Sequence, residues 1–161
     1  MSGKFLGKFR GTVSDVKDPL MTGRIKAKVT DVTGVDETGW AMPCAPFTGF
    51  FSLPKVGTGV WIEFEHGDLD KPIWSGCWWG SVAEVPPVLL APPYKKVLLQ
   101  TEGGNKILLD DTPGIGGITL ETSAGLKVKL TPLAIEITNG AGVIKIEGPK
   151  VSINGTALVV I

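Results

Sequence analysis

The chain has 161 residues with 16 basic and 16 acidic side chains, one His and a formal net charge of zero. That balance leaves no basic stripe of the kind that a nucleic-acid backbone or an anionic membrane surface recruits, so neither is an expected partner. The 22 glycines and 12 prolines supply turn formers for many short strands, and charged residues make up only 20%, so an all-β protein of one ordinary or two very small domains is the first expectation.

The opening Met-Ser-Gly-Lys-Phe-Leu-Gly-Lys-Phe-Arg-Gly has no apolar core of about 7–15 residues followed by a cleavage site, and no apolar run approaches the roughly 18 residues of a membrane span. A product made in the cytoplasm without a signal peptide is expected. Sustained i, i+3, i+4 apolar spacing is absent, whereas period-2 alternation recurs throughout, which predicts strands and at most a short helical turn. In the first half the predicted strands are Lys8 to Val16, Gly23 to Val32, Trp40 to Pro43, Gly59 to Glu65 and Pro72 to Trp79. Gly, Pro and Asp punctuate them. Five strands in so short a stretch suit a five-stranded OB-fold barrel, which buries one face and removes exposed edges. Cys44 and Cys77 match no CxxC or His/Cys zinc spacing; two buried thiols are expected, with a disulfide as the lesser alternative.

Glu84-Val-Pro-Pro-Val-Leu-Leu-Ala-Pro-Pro93 carries four prolines, which predicts a stiff, extended connector. The expected organisation is therefore a barrel over 1–83, a connector over 84–94 and a third segment over 95–161. That last segment is a repeat. Leu126, Ile135, Ile144 and Ile153 recur every nine residues, Val128, Ile137 and Ile146 follow two places later, and Ile118 and Leu120 stand eight before the first pair. Each unit is one short strand and a turn, the turns being Ser123-Ala-Gly125, Thr131-Pro132, Asn139-Gly-Ala-Gly142 and Gly148-Pro149. With Leu130 and Val151 these apolar positions form one inward ladder. Between them, charge sign largely alternates from strand to strand, so neighbouring strands would face opposite charges outward.

Such a meander has one apolar face and nothing of its own to cover it. Three copies around a common axis would bury all three faces in one core, an intertwined trimeric β-helix or β-prism. The alternative is a monomer whose sheet folds onto the barrel. The end, Ala157-Leu-Val-Val-Ile161, is apolar to the last residue; Leu158, Val159, Val160 and Ile161 are either a final strand or a flat docking platform at the tip.

Gly11-Thr-Val-Ser-Asp-Val-Lys-Asp-Pro-Leu-Met-Thr-Gly-Arg-Ile25, Gly39-Trp-Ala-Met-Pro43, Gly57-Thr-Gly-Val-Trp-Ile-Glu-Phe64 and Gly67-Asp-Leu-Asp-Lys-Pro-Ile-Trp-Ser-Gly76 resemble the OB-fold domain of the phage baseplate assembly protein V and valine-glycine-repeat (Vgr) spike family. The likeness covers roughly residues 7 to 80, and the repeat that follows resembles that family's trimeric β-helix. The resemblance implies a structural homotrimeric central spike of a bacterial contractile injection system, in a phage tail or a phage-tail-like or type VI secretion-like particle. Its barrel would meet a hub at the end of the inner tube. Its point would carry a PAAR-type tip protein and touch the target membrane only transiently, on puncturing. About seven residues precede the first strand, so the hub is expected as a separate protein. Some phage spikes end in a His-x-His iron tip; the sole His here is His66, and no such metal is expected.

Catalysis has little to stand on. His66 lies in Glu-His-Gly-Asp, a strand end entering a turn. Glu63, Glu65, Asp68 and Asp70 could in principle hold a hard cation, but alternation and turn chemistry read better as a solvated face. Gly114-Ile-Gly-Gly117 precedes a strand and lacks the context of a phosphate loop. Trp61, Trp74, Trp78, Trp79, Phe50 and Phe51 could stack bases or sugars on a barrel, giving the alternative of a monomeric OB-fold binding module for a saccharide or single-stranded nucleic acid. Packing in the core and at interfaces accounts for them better. No catalytic, cofactor-binding or metal-binding residue is expected.

Overall fold

The structure, a computed structural model, describes residues 4–92, 95–155 and 157–160. The chain divides into two compact units, Met1–Glu84 and Val85–Ile161, and strands account for nearly all of the regular structure in both.

The first unit is a five-stranded sheet of β1 (Phe9–Asp15), β2 (Lys26–Lys28), β3 (Met42–Pro43), β4 (Gly59–Phe64) and β5 (Pro72–Trp78), paired in the order β2-β1-β4-β5-β3. The sheet curls until its ends meet: a bridge from Ile25 to Ala41 joins the β2 side to the β3 side, and β3 lies parallel to β5 while the other pairs are antiparallel. The resulting circuit, β1-β2-β3-β5-β4, is an OB-type ring. Alternation decides which side chains enter it. Val60, Ile62 and Phe64 point inward from β4 and meet Val13, Ile25, Ala27, Val29 and Ala41 in the core, while Trp61 and Glu63 lie on the outer face. Phe5, Phe9 and Phe64 stack edge-on and tilted at 5.7 to 6.3 Å at one end of the core, a favoured aromatic geometry.

Three sequence expectations change here. The strand expected over Gly23 to Val32 is regular only over Lys26–Lys28, because Val29 O accepts N–H bonds from Val32 and Thr33, and Thr33 Oγ1 donates to Asp36 O. A four-residue helical turn, Thr30–Thr33, takes its place, as Thr and Asp side chains compete for backbone groups. The connector is not extended throughout, since Val82–Glu84 and Pro87–Leu89 are 3-10 turns; the fixed φ of proline suits the first position of a helical turn. Cys44 and Cys77 are exposed free thiols. Cys77 lies beyond a register shift in the β4–β5 pair, which interrupts the inward alternation before it reaches that residue.

The second unit is one antiparallel meander of eight strands in sequence order: β6 (Lys96–Gln100), β7 (Lys106–Asp110), β8 (Gly117–Glu121), β9 (Lys127–Leu130), β10 (Ile135–Thr138), β11 (Val143–Glu147), β12 (Lys150–Ile153) and β13 (Leu158–Val160). Polar side chains close its turns. Asn105 Oδ1 accepts the Ser123 N–H at 3.0 Å, Asn139 Oδ1 the Gly142 N–H at 2.7 Å and Asn154 Oδ1 the Val143 N–H at 2.8 Å, so backbone donors freed at the reversals stay bonded.

Candidate functional site

The register of the meander sorts its apolar side chains into two unbroken rows on one face. Ile118 stands opposite Leu130, Leu130 opposite Ile135, Ile135 opposite Ile146 and Ile146 opposite Val151, which pairs with Val160. The second row runs Leu120, Val128, Ile137, Ile144, Ile153, Leu158 by the same pairings. Leu126, just ahead of β9, shares the parity of Val128 and lines the same groove. The structure also extends both rows where sequence reasoning did not reach: Leu109 and Val97 continue the first, Ile107 and Leu99 the second. Their signal was obscured because Leu98 and Leu108 sit between them on the opposite face, turning an alternation into an apolar run.

This face is open. Its side chains are exposed from 36% at Ile153 to 65% at Val97, with Val128 and Val151 half-buried. A groove of about 780 Å3 runs over Leu99, Ile107, Leu120, Val128, Ile137, Ile144 and Ile153. Covering one such side chain would contribute on the order of 1 kcal/mol, about half the value for full burial of a Leu or Ile. Of the remaining expected tip positions, Ile161 and the side chain of Val159 lie outside the described residues, while Leu158 and Val160 are exposed.

The opposite face carries the charges. Glu121 lies between Lys106 at 3.2 Å and Lys127 at 3.5 Å, Lys96 approaches Asp110 at 3.6 Å, and Glu136 stands between Lys129 and Lys145 in register. Partial burial raises the Glu121 carboxyl, but its bonds and charges from the two lysines outweigh this and hold it below the ordinary value. Thr112, through its hydroxyl and N–H, lowers Asp110 in the same way.

On the barrel, the other candidates do not converge on a chemical site. His66 is exposed, with a left-handed φ of +55° and 3.8 Å from Glu65. Glu63 is engaged by Lys8, which lowers its carboxyl, and Asp68 accepts the Asp70 N–H at 3.1 Å. Among the described residues no three His, Cys, Asp or Glu side chains gather closely enough to hold a metal ion. Gly114 to Gly117 form a turn into β8, closed by the Gly116 N–H on Thr112 O. Of the aromatics, Trp74 packs against the core and donates to Gly23 O at 3.1 Å. Trp61 and Trp78 are partly buried with the Arg10 guanidinium 5.8 and 5.4 Å from their rings, so a cation of the chain itself occupies that surface. Phe50, Phe51 and Trp79 are exposed in the single chain.

A ring-closed OB-type barrel and an eight-stranded ladder with one exposed apolar face define an all-β protein of two units. Residues 9–79 match the family model for the type VI secretion system/phage-baseplate injector OB domain, and residues 96–159 match that for the phage baseplate V C-terminal trimerisation domain. The chain belongs to the phage baseplate V and Vgr spike family. It is 33% identical over 81 residues to the actin cross-linking toxin VgrG1 of Vibrio cholerae serotype O1, a match covering 47% of this chain and 7% of that protein. These matches support a spike-like structural role, and no helix among the described residues is long and apolar enough to cross a membrane.

Proposed function

We propose that the chain is the homotrimeric central spike of a contractile injection system. The bare double row on the second unit carries this reading: every strand from β6 to β13 adds to it, and no charge interrupts it. Three such faces around an axis give a dry core with one layer per strand, charged columns outside, and backbone groups paired along the whole length. Force along the axis is then spread over many hydrogen bonds. Residues 1–83 form the hub-docking barrel, 84–94 the connector and 95–161 the shaft and tip. The barrel docks a separate hub protein at the end of the inner tube, and the apolar C-terminal end carries a PAAR-type cap. Its work is mechanical, puncturing the target envelope without catalysis.

Light scattering on the purified chain tests this reading. A mass near 51 kDa, three times the 17.0 kDa of one chain, that persists in mild denaturant supports it. A clean monomer overturns it and favours the monomeric binding module.

A further inference from the structure

We infer that the barrels of neighbouring protomers dock on one another through a knob and a groove built by the β1–β2 and β3–β4 loops. The inference rests on the trimer proposed above and adds an interface outside the shaft.

The knob is the tip of the β1–β2 loop. Asp18 pins that loop from inside: its carboxylate accepts the N–H groups of Leu20 at 3.0 Å and Thr22 at 2.8 Å, and Arg24 Nε and Nη2 at 3.0 and 2.6 Å. Met21 is thereby held at a φ of +53°, which non-glycine residues adopt only under constraint. It is 88% exposed, with Leu20 beside it at 66%. The groove, of about 490 Å3, is walled by Gly23, Cys44, Phe50, Phe51, Leu53 and Trp74 among others, and no charged side chain lines it. Knob and groove adjoin, since Gly23 follows Met21 by two residues and a Cβ on Gly23 would lie 3.2 Å from the Phe51 ring. A rigid apolar loop beside an uncharged, mainly apolar groove offers both a protrusion and a matching recess for a contact.

A second copy of this chain is the occupant. The barrel unit ends at Glu84 and the trimerisation domain begins at residue 96, so the 11 residues between them reach at most about 40 Å fully extended. Trimerised shafts therefore hold three barrels at an effective concentration on the order of millimolar, enough for a small patch to be filled. A threefold contact is heterologous, so each copy must offer both halves of it. Here both halves lie side by side, and their lack of charge removes like-charge repulsion when three copies meet.

Cys44, on the groove wall, reports directly. In a Cys77→Ser chain, maleimide should label Cys44 at least tenfold more slowly in the trimer than in the same chain monomerised by Ile137→Asp. Adding Met21→Cys and a short bismaleimide should link two and three chains covalently. Equal labelling in a chain of trimeric mass would overturn the barrel contact and leave the trimer standing. A monomeric mass for the Cys77→Ser chain would overturn the trimer reading itself.

Discussion

The indole of Trp78 lies directly over Gly59, so close that a Cβ on Gly59 would sit 2.6 Å from its ring. The ring cannot move aside easily, because its Nε1 donates to Val60 O at 3.1 Å and Arg10 lies 5.4 Å from it. Gly59→Ala should therefore overpack the β4–β5 pair and destabilise the barrel by about 1–3 kcal/mol, lowering its Tm by at least about 4 °C. Thermal melting followed by Trp fluorescence measures this; a variant that melts with the parent would mean the indole is free to shift.

Ile137 faces Val128 on one side and Ile144 on the other, in the middle of the second apolar row. Ile137→Asp would place three unpaired carboxylates in the proposed trimer core, where an uncompensated charge is far costlier than in water. The expected outcome is loss of the trimer, read as a light-scattering mass near that of one chain, with the barrel still folded by near-UV circular dichroism. A protease-resistant trimer carrying this substitution would refute the shaft arrangement.

Gly117 opens β8 with a φ of +151°, and a Cβ there would lie 1.9 Å from the Leu130 carbonyl oxygen. Neither the backbone angle nor the neighbouring strand leaves room for a side chain. Gly117→Ala should cost at least about 1–3 kcal/mol per chain and lower the denaturant midpoint of the second unit while leaving that of the barrel unchanged. Gly114→Ala is the matched control in the adjoining turn, where nothing lies within 4 Å of the added carbon. Its own φ of +79° is strained, so its loss should be the smaller of the two.

Asp18 is held well below the ordinary carboxylate range, first by its hydrogen bonds from Arg24 and then by those from Leu20 and Thr22, which outweigh its burial. A carboxyl whose pKa is lower in the folded than in the unfolded chain, about 3.9, contributes stability that is present above that value. The contribution is lost as pH falls toward the folded-state value. Barrel Tm should therefore drop on acidification below about pH 4 to 5. Asp18→Asn should lower Tm at pH 7 and flatten this acid dependence, measured by melting at a series of pH values. A parallel acid slope in both proteins would assign the effect to other carboxylates, such as Glu63.

The two halves of the chain differ in how far they can be read from sequence. In the second unit a strand pairs with the next strand through a tight turn, so nine-residue spacing alone aligns Ile135 with Ile146 and Glu136 with Lys145. The reading failed only at β6 and β7, where Leu98 and Leu108 blur the period. In the barrel the same periodicity locates β1, β4 and β5, yet it overextends β2, because the bonds of Thr33 to Val29 and Asp36 are a local competition that apolar patterning does not register.

Sequence by itself determined the all-β class, the strand-and-turn repeat and the apolar and charged faces of the second unit. All of these follow from side-chain period and turn chemistry within a few residues. Only the tertiary structure decided that Ile25 meets Ala41 to close the ring, that β3 runs parallel to β5, and that both cysteines face outward. It alone set the Asp18-pinned loop beside Phe51. Those outcomes depend on pairings between distant segments and on a register shift in β4–β5, and a local hydrophobic pattern carries no information about which distant partner a strand will find.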